Sequence, residues 1–108
     1  MEGLWTIEFG STTGDFGAGT VVFHDGKVQG GDSSYYYDGT FKMDGDSFTA
    51  QVDVRPFIFG GISVFGTIGK DISLSISGKL VDNKNAIAQG SLSVVPQHKL
   101  GIKLIKRD

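Results

Sequence analysis

The chain has 108 residues, no cysteine, 12 acidic and 10 basic side chains, and a formal net charge of −2. That excludes a disulfide scaffold and a thiolate metal centre, and it argues against a nucleic-acid binder, which carries a basic surface. Seventeen glycines against two prolines, with no collagen-like period, point to many turns and sharply bent strands.

A chain of this length buries roughly two-thirds of its unfolded surface in one core, so residues 1–108 read as a single domain. Apolar and polar residues alternate with period two almost throughout, and nowhere does a helical period last longer than a turn. Trp5, Ile7 and Phe9 share one face of a first strand, with Leu4, Thr6 and Glu8 on the other. A Gly/Ser/Thr connection over 10–16 leads into a hairpin of strands near 17–24 and 27–31. At its centre, Asp25-Gly26 supplies the two positive-φ residues that a type I′ turn needs. Gly30-Gly31-Asp32 makes a corner before a tyrosine strand near 35–43, in which Tyr35, Tyr37 and Phe41 face the core and Tyr36 faces out. Asp44-Gly45-Asp46 is a second tight turn. It opens the most regular strand, Ser47–Val54, whose apolar face carries Phe48, Ala50, Val52 and Val54. Pro56 stops that strand, because proline has no amide hydrogen to give a neighbour.

Residues 57–70 are apolar but broken by glycines, and read as a long connection with a short extended piece. Ile72, Leu74, Ile76 and Leu80 then alternate with Ser73, Ser75, Ser77 and Lys79. A polar loop at Asp82–Asn85 precedes Ala88, Gly90, Leu92 and Val94, Pro96-Gln97-His98 turns the chain, and Leu100, Ile102 and Leu104 finish it. Eight strands joined mostly by hairpins predict an all-β fold, an eight-stranded antiparallel up-and-down β-barrel whose closure leaves no edge strand. A two-sheet sandwich has the same strands, and only their pairing separates the two. Trp5, Phe23, Phe41, Phe48, Val52, Leu74 and Leu92 are expected inside, where they would also line any ligand cavity. Inward glycines (Gly17, Gly19, Gly39, Gly78, Gly90) would relieve crowding where strands coil.

Charge is unevenly spread. Residues 1–54 hold nine acids and two bases, a net of −7, whereas residues 55–108 hold three acids and eight bases, a net of +5. A surface polarised in this way can steer a charged partner or a second copy of the chain. No leader-like segment and no apolar run approaching the ~18 residues of a membrane helix is present, so the expected location is the cytoplasm, away from any membrane.

No Ser/His/Asp order or carboxylate pair stands out for acid–base work, and no enzymatic activity is expected. His24 and His98 lack converging ligands, and Asp44-x-Asp46 lacks the rest of an EF-hand loop. Gly14-x-x-Gly17-x-Gly19 runs into a strand instead of the helix a phosphate loop requires. No metal or cofactor is therefore expected. Phe57, Ile58 and Phe59, just after Pro56, form an apolar run suited to a dimer contact or a lid over one barrel end. Bases stacked on such rings would make a nucleic-acid site, which the acidic first half opposes.

Gly3-Leu4-Trp5 at the head of the first strand is similar to the Gly-x-Trp start of lipocalin-type barrels. There a basic residue near the end of the last strand covers the Trp; Lys106 or Arg107 is placed to do so by a cation–π contact. Together with Gly17-x-Gly19, Phe23-x-Asp25-Gly26, Gly30-Gly31-Asp32 and Tyr37-x-Gly39, this start makes the chain resemble the GrlR-type family. Members of that family are small lipocalin-like negative regulators of type III secretion genes in bacteria, and the likeness is best over residues 3–54. The resemblance implies a cytoplasmic homodimer that represses by sequestering a transcriptional activator, without catalysis. The family contacts its activator through a run of acidic residues in a loop; the matching hairpin here carries two, Asp44 and Asp46. These are the expected partner-binding residues, since an acidic turn can stand in for phosphate toward a basic DNA-binding surface. Two further functions stay open: a carrier of a small apolar ligand or lipid inside the barrel, and a structural dimer domain with no ligand.

Overall fold

The structure, a computed structural model, describes residues 1–11, 16–58, 71–92 and 99–108. Among these residues there are eight strands and no helix: β1 Gly3–Ser11, β2 Phe16–His24, β3 Lys27–Gly31, β4 Tyr35–Asp44, β5 Ser47–Pro56, β6 Ile72–Leu80, β7 Asn85–Leu92 and β8 Lys99–Lys106. Each strand pairs antiparallel with its neighbours in sequence. β1 also pairs with β8, Trp5 opposite Lys106 and Ser11 opposite Leu100, so the sheet closes on itself. That closure selects the barrel over the sandwich. Val94, Pro96-Gln97-His98, Phe59, Gly14 and residues 59–70 of the 57–70 connection, in which a short extended piece is expected, lie outside the described residues.

The two tightest turns follow their residues. Asp25 and Gly26 take positive φ, 53° and 80°, and close His24 against Lys27 as a type I′ hairpin does. In the β4–β5 hairpin only Gly45 is positive, at 62°, and Asp44 pairs with Ser47. Glycine alone at the first central position is the type II′ pattern. Asp44 therefore ends β4, and Gly45-Asp46 forms the turn. β5 runs through Pro56, which pairs with Tyr35 as the last residue of the strand. Gly30 and Gly31 belong to β3, so the corner is formed by Asp32, Ser33 and Ser34.

Two glycines mark where strands press closest. A Cβ on Gly30 would sit 2.0 Å from the Thr20 carbonyl oxygen, and one on Gly39 would sit 2.0 Å from that of Gln51. No side chain fits there, and the missing Cβ atoms let the sheet coil tightly enough to close.

Alternation sorts the side chains between lumen and solvent. At the end where β1 begins and β8 finishes, Phe23 is the hub of an aromatic plug. It meets Trp5, Phe41 and Phe48 edge to face, with ring centres 6.3, 5.0 and 6.4 Å away. The buried Trp5 indole donates to the Met1 carbonyl oxygen at 2.8 Å, so its polar edge is satisfied. Toward the other end, Ile72, Leu74, Leu92 and Leu100 form a second buried cluster.

The expected cover for Trp5 is corrected in one part. Arg107 turns to the outer side of β1: its Nε donates to Thr6 Oγ1 at 2.9 Å and its amide to the Leu4 carbonyl at 2.8 Å. Neighbouring residues in an extended chain point to opposite faces, so only Lys106, the direct cross-strand partner of Trp5, shares the indole's side.

Candidate functional site

The strand alternation places Trp5, Phe23, Phe41, Phe48, Val52, Leu74 and Leu92 inside, and all seven are buried. They do not share one role. Phe23, Phe48, Val52 and Leu74 line a cavity of about 240 Å³. Trp5 and Phe41 complete the aromatic plug, to which Phe23 and Phe48 also belong, and Leu92 packs in the second cluster. The cavity exists because small residues, among them Gly17, Ala50 and Ala88, face the lumen beyond the plug. An eight-stranded barrel is just wide enough to be filled by side chains or to hold one small ligand, and this barrel is filled over part of its length.

The cavity wall is apolar except where Asp32, Ser33, Ser34 and Tyr37 meet it. Asp32 opens the β3–β4 corner. Its Oδ1 accepts the amides of Ser34 and Tyr35, both at 2.9 Å, and its own amide donates to the Tyr35 carbonyl at 2.9 Å. Its Oδ2 accepts the phenol of Tyr37, which projects inward from β4. The Tyr37 hydroxyl lies over Gly19 of β2, where a Cβ would come within 3.1 Å of it. Tyr37 is buried. Burial first, then the hydrogen bond and negative charge of Asp32, push its phenol well above the ordinary value of 10.0.

This polar pair was not singled out by the pattern of the sequence. The signal present was local: an Asp before Ser-Ser-Tyr, the arrangement of an Asx turn. That Tyr37 reaches back to the same carboxylate is a fact of packing.

At the plugged end, Asp44 and Asp46 are exposed, and neither carboxylate has a hydrogen-bond or ion-pair partner among the described residues. The hairpin itself is tethered, because the Asp46 carbonyl accepts the amide of Leu80 at 2.7 Å. Some of the other surface charges of that end and of the wall are engaged. Glu2 Oε1 accepts the Asp25 amide at 3.0 Å and lies 3.3 Å from His24 Nδ1. Asp53 pairs with Arg55 at 3.3 Å and accepts Ser73 at 2.9 Å, and Arg55 lies 3.7 Å from Asp71.

Phe57 and Ile58 are 57% and 48% exposed, and neither lines the cavity; Phe59 lies outside the described residues. Among the described residues no group of three or more His, Asp or Glu side chains could hold a metal ion, and no helix is long and apolar enough to cross a membrane. No protein-family model matches the chain, and no curated protein matches it.

Proposed function

We propose that the protein is a non-enzymatic regulatory binding module, a cytoplasmic negative regulator of type III secretion gene expression that works by sequestering a transcriptional activator. The observation that carries this reading is the β4–β5 hairpin. Asp44 and Asp46 stand exposed and, among the described residues, without side-chain partners on a turn whose backbone is held by Leu80. Two exposed carboxylates on a turn tethered at Asp46 displace no internal cation among the described residues when they meet arginine or lysine. A partner surface that neutralises DNA phosphates has such residues. Occupied by the hairpin, it is no longer available to DNA. The net −7 of residues 1–54 adds a long-range attraction for the same partner. The resemblance over residues 3–54 names the class of partner, and the exposed Phe57 and Ile58 are the apolar surface through which two copies would associate.

The test compares the wild type with Asp44→Lys/Asp46→Lys, using the purified activator of the native host in titration calorimetry and a secretion-gene reporter in vivo. The reading expects wild-type binding that weakens steeply with added salt, loss of binding by the charge-reversed variant, and derepression of the reporter. Equal binding by the two proteins, with unchanged circular dichroism, would sink the assignment of this hairpin.

A further inference from the structure

The Asp32–Tyr37 pair has no part in a contact made by the opposite end of the barrel, yet it forms the polar spot of an otherwise apolar cavity. Protein interiors pack densely, and voids much larger than a water molecule are few. This one measures about 240 Å³. An apolar cavity of about 150 Å³ already admits benzene, so the space here suits an apolar molecule of roughly ten heavy atoms.

The polar spot defines the end of that molecule. Asp32 Oδ1 is occupied by two amides and Oδ2 accepts the Tyr37 phenol, which spends the one hydrogen that Tyr37 can donate. What this pair still offers is acceptor capacity: a second lone pair on Asp32 Oδ2 and the lone pairs of the Tyr37 oxygen. The site also carries the negative charge of Asp32, with no cation paired to it among the described residues. An incoming carboxylate would meet like charge in a low-dielectric pocket, while an alcohol or a protonated amine would meet an acceptor.

We propose that the barrel binds a small, mostly hydrocarbon molecule ending in a hydrogen-bond donor, an alcohol or a protonated amine, whose head lies against Asp32 and Tyr37 and whose tail lies along Ala50, Val52 and Leu74. This site is independent of the hairpin, so the regulatory reading stands or falls separately.

The experiment titrates the intact chain at neutral pH with octanol, octylamine and octanoate, by calorimetry and by amide chemical-shift mapping. Octanol and octylamine are expected to bind and to shift the amides of Ala18, Ser33 and Ser34, with octanoate weaker by about tenfold or more, the scale of one unfavourable charge contact. Asp32→Asn keeps an oxygen for the Ser34 and Tyr35 amides and removes the charge, so it should bring octylamine and octanoate to within about threefold of each other. Val54→Phe, at the cavity wall, should fill the space and abolish binding of all three. The proposal is overturned if neither octanol nor octylamine binds the wild type, if octanoate binds it as tightly as octylamine, or if Val54→Phe leaves the affinities unchanged. The wild-type series decides the matter even where a variant fails to fold.

Discussion

The phenol of Tyr37 donates its hydrogen to the same Asp32 carboxylate that holds the amides of Ser34 and Tyr35. One side chain thereby joins the β3–β4 corner to the barrel interior. Because burial, and then this bond, favour the neutral phenol, Tyr37 couples folding to pH at the alkaline end.

The sign follows from the direction of the shift. Folded Tyr37 keeps its proton above its ordinary value of 10.0, whereas the unfolded side chain releases it. The contribution is therefore complete below about pH 10 and declines as pH rises beyond it. Urea unfolding of the wild type from pH 8 to pH 11 should show this loss, and Tyr37→Phe should flatten that part of the profile. A Tyr37→Phe curve parallel to the wild type would contradict it.

The aromatic plug and the cavity wall should respond differently to truncation. Phe23 touches three rings, so Phe23→Ala leaves a hole that its neighbours cannot fill and should cost about 3–5 kcal/mol. Val52→Ala removes methyl groups that already face the cavity, and should cost roughly 1–2 kcal/mol, close to the transfer term alone. Denaturant midpoints at constant m-value measure both, and the order of the two is the point at stake.

Two glycines should separate in the same way for a different reason. Gly39→Ala puts a methyl group 2.0 Å from a backbone oxygen of β5, which only a shift of strands relieves, and should cost at least about 3 kcal/mol or abolish folding. Gly45→Ala meets no neighbouring atom and incurs only the left-handed backbone conformation at φ 62°, about 1 kcal/mol. Thermal unfolding of the two variants gives the comparison directly.

The Asp53–Arg55–Asp71 chain of charges on the outer wall is half exposed, with contacts of 3.3 and 3.7 Å. Arg55→Ala should therefore change stability by less than about 1 kcal/mol, and added salt should shrink the difference further. A larger effect that salt does not reduce would mean that Arg55 also supports the wall by packing.

Features set by neighbouring residues could be read directly from the chain. Phe48, Ala50 and Val52 alternate with Thr49 and Gln51 because successive side chains in a strand point to opposite faces, and that property needs no partner strand. Asp25-Gly26 announces its turn because positive φ is a property of those residues alone. The exposed hairpin at Asp44 and Asp46 was legible for the same reason. Features joining distant parts of the chain were not. Trp5 meets Lys106 only when the sheet closes, and the side to which Arg107 turns depends on that register. The cavity is a difference between the width of the closed ring and the volume of the side chains that strands throughout the barrel send into it, a quantity no segment contains. Asp32 receives Tyr37 because the β3–β4 corner and the inward face of β4 converge in space. The strands and turns were therefore local decisions of the sequence, and the lumen with its polar spot was a decision of closure.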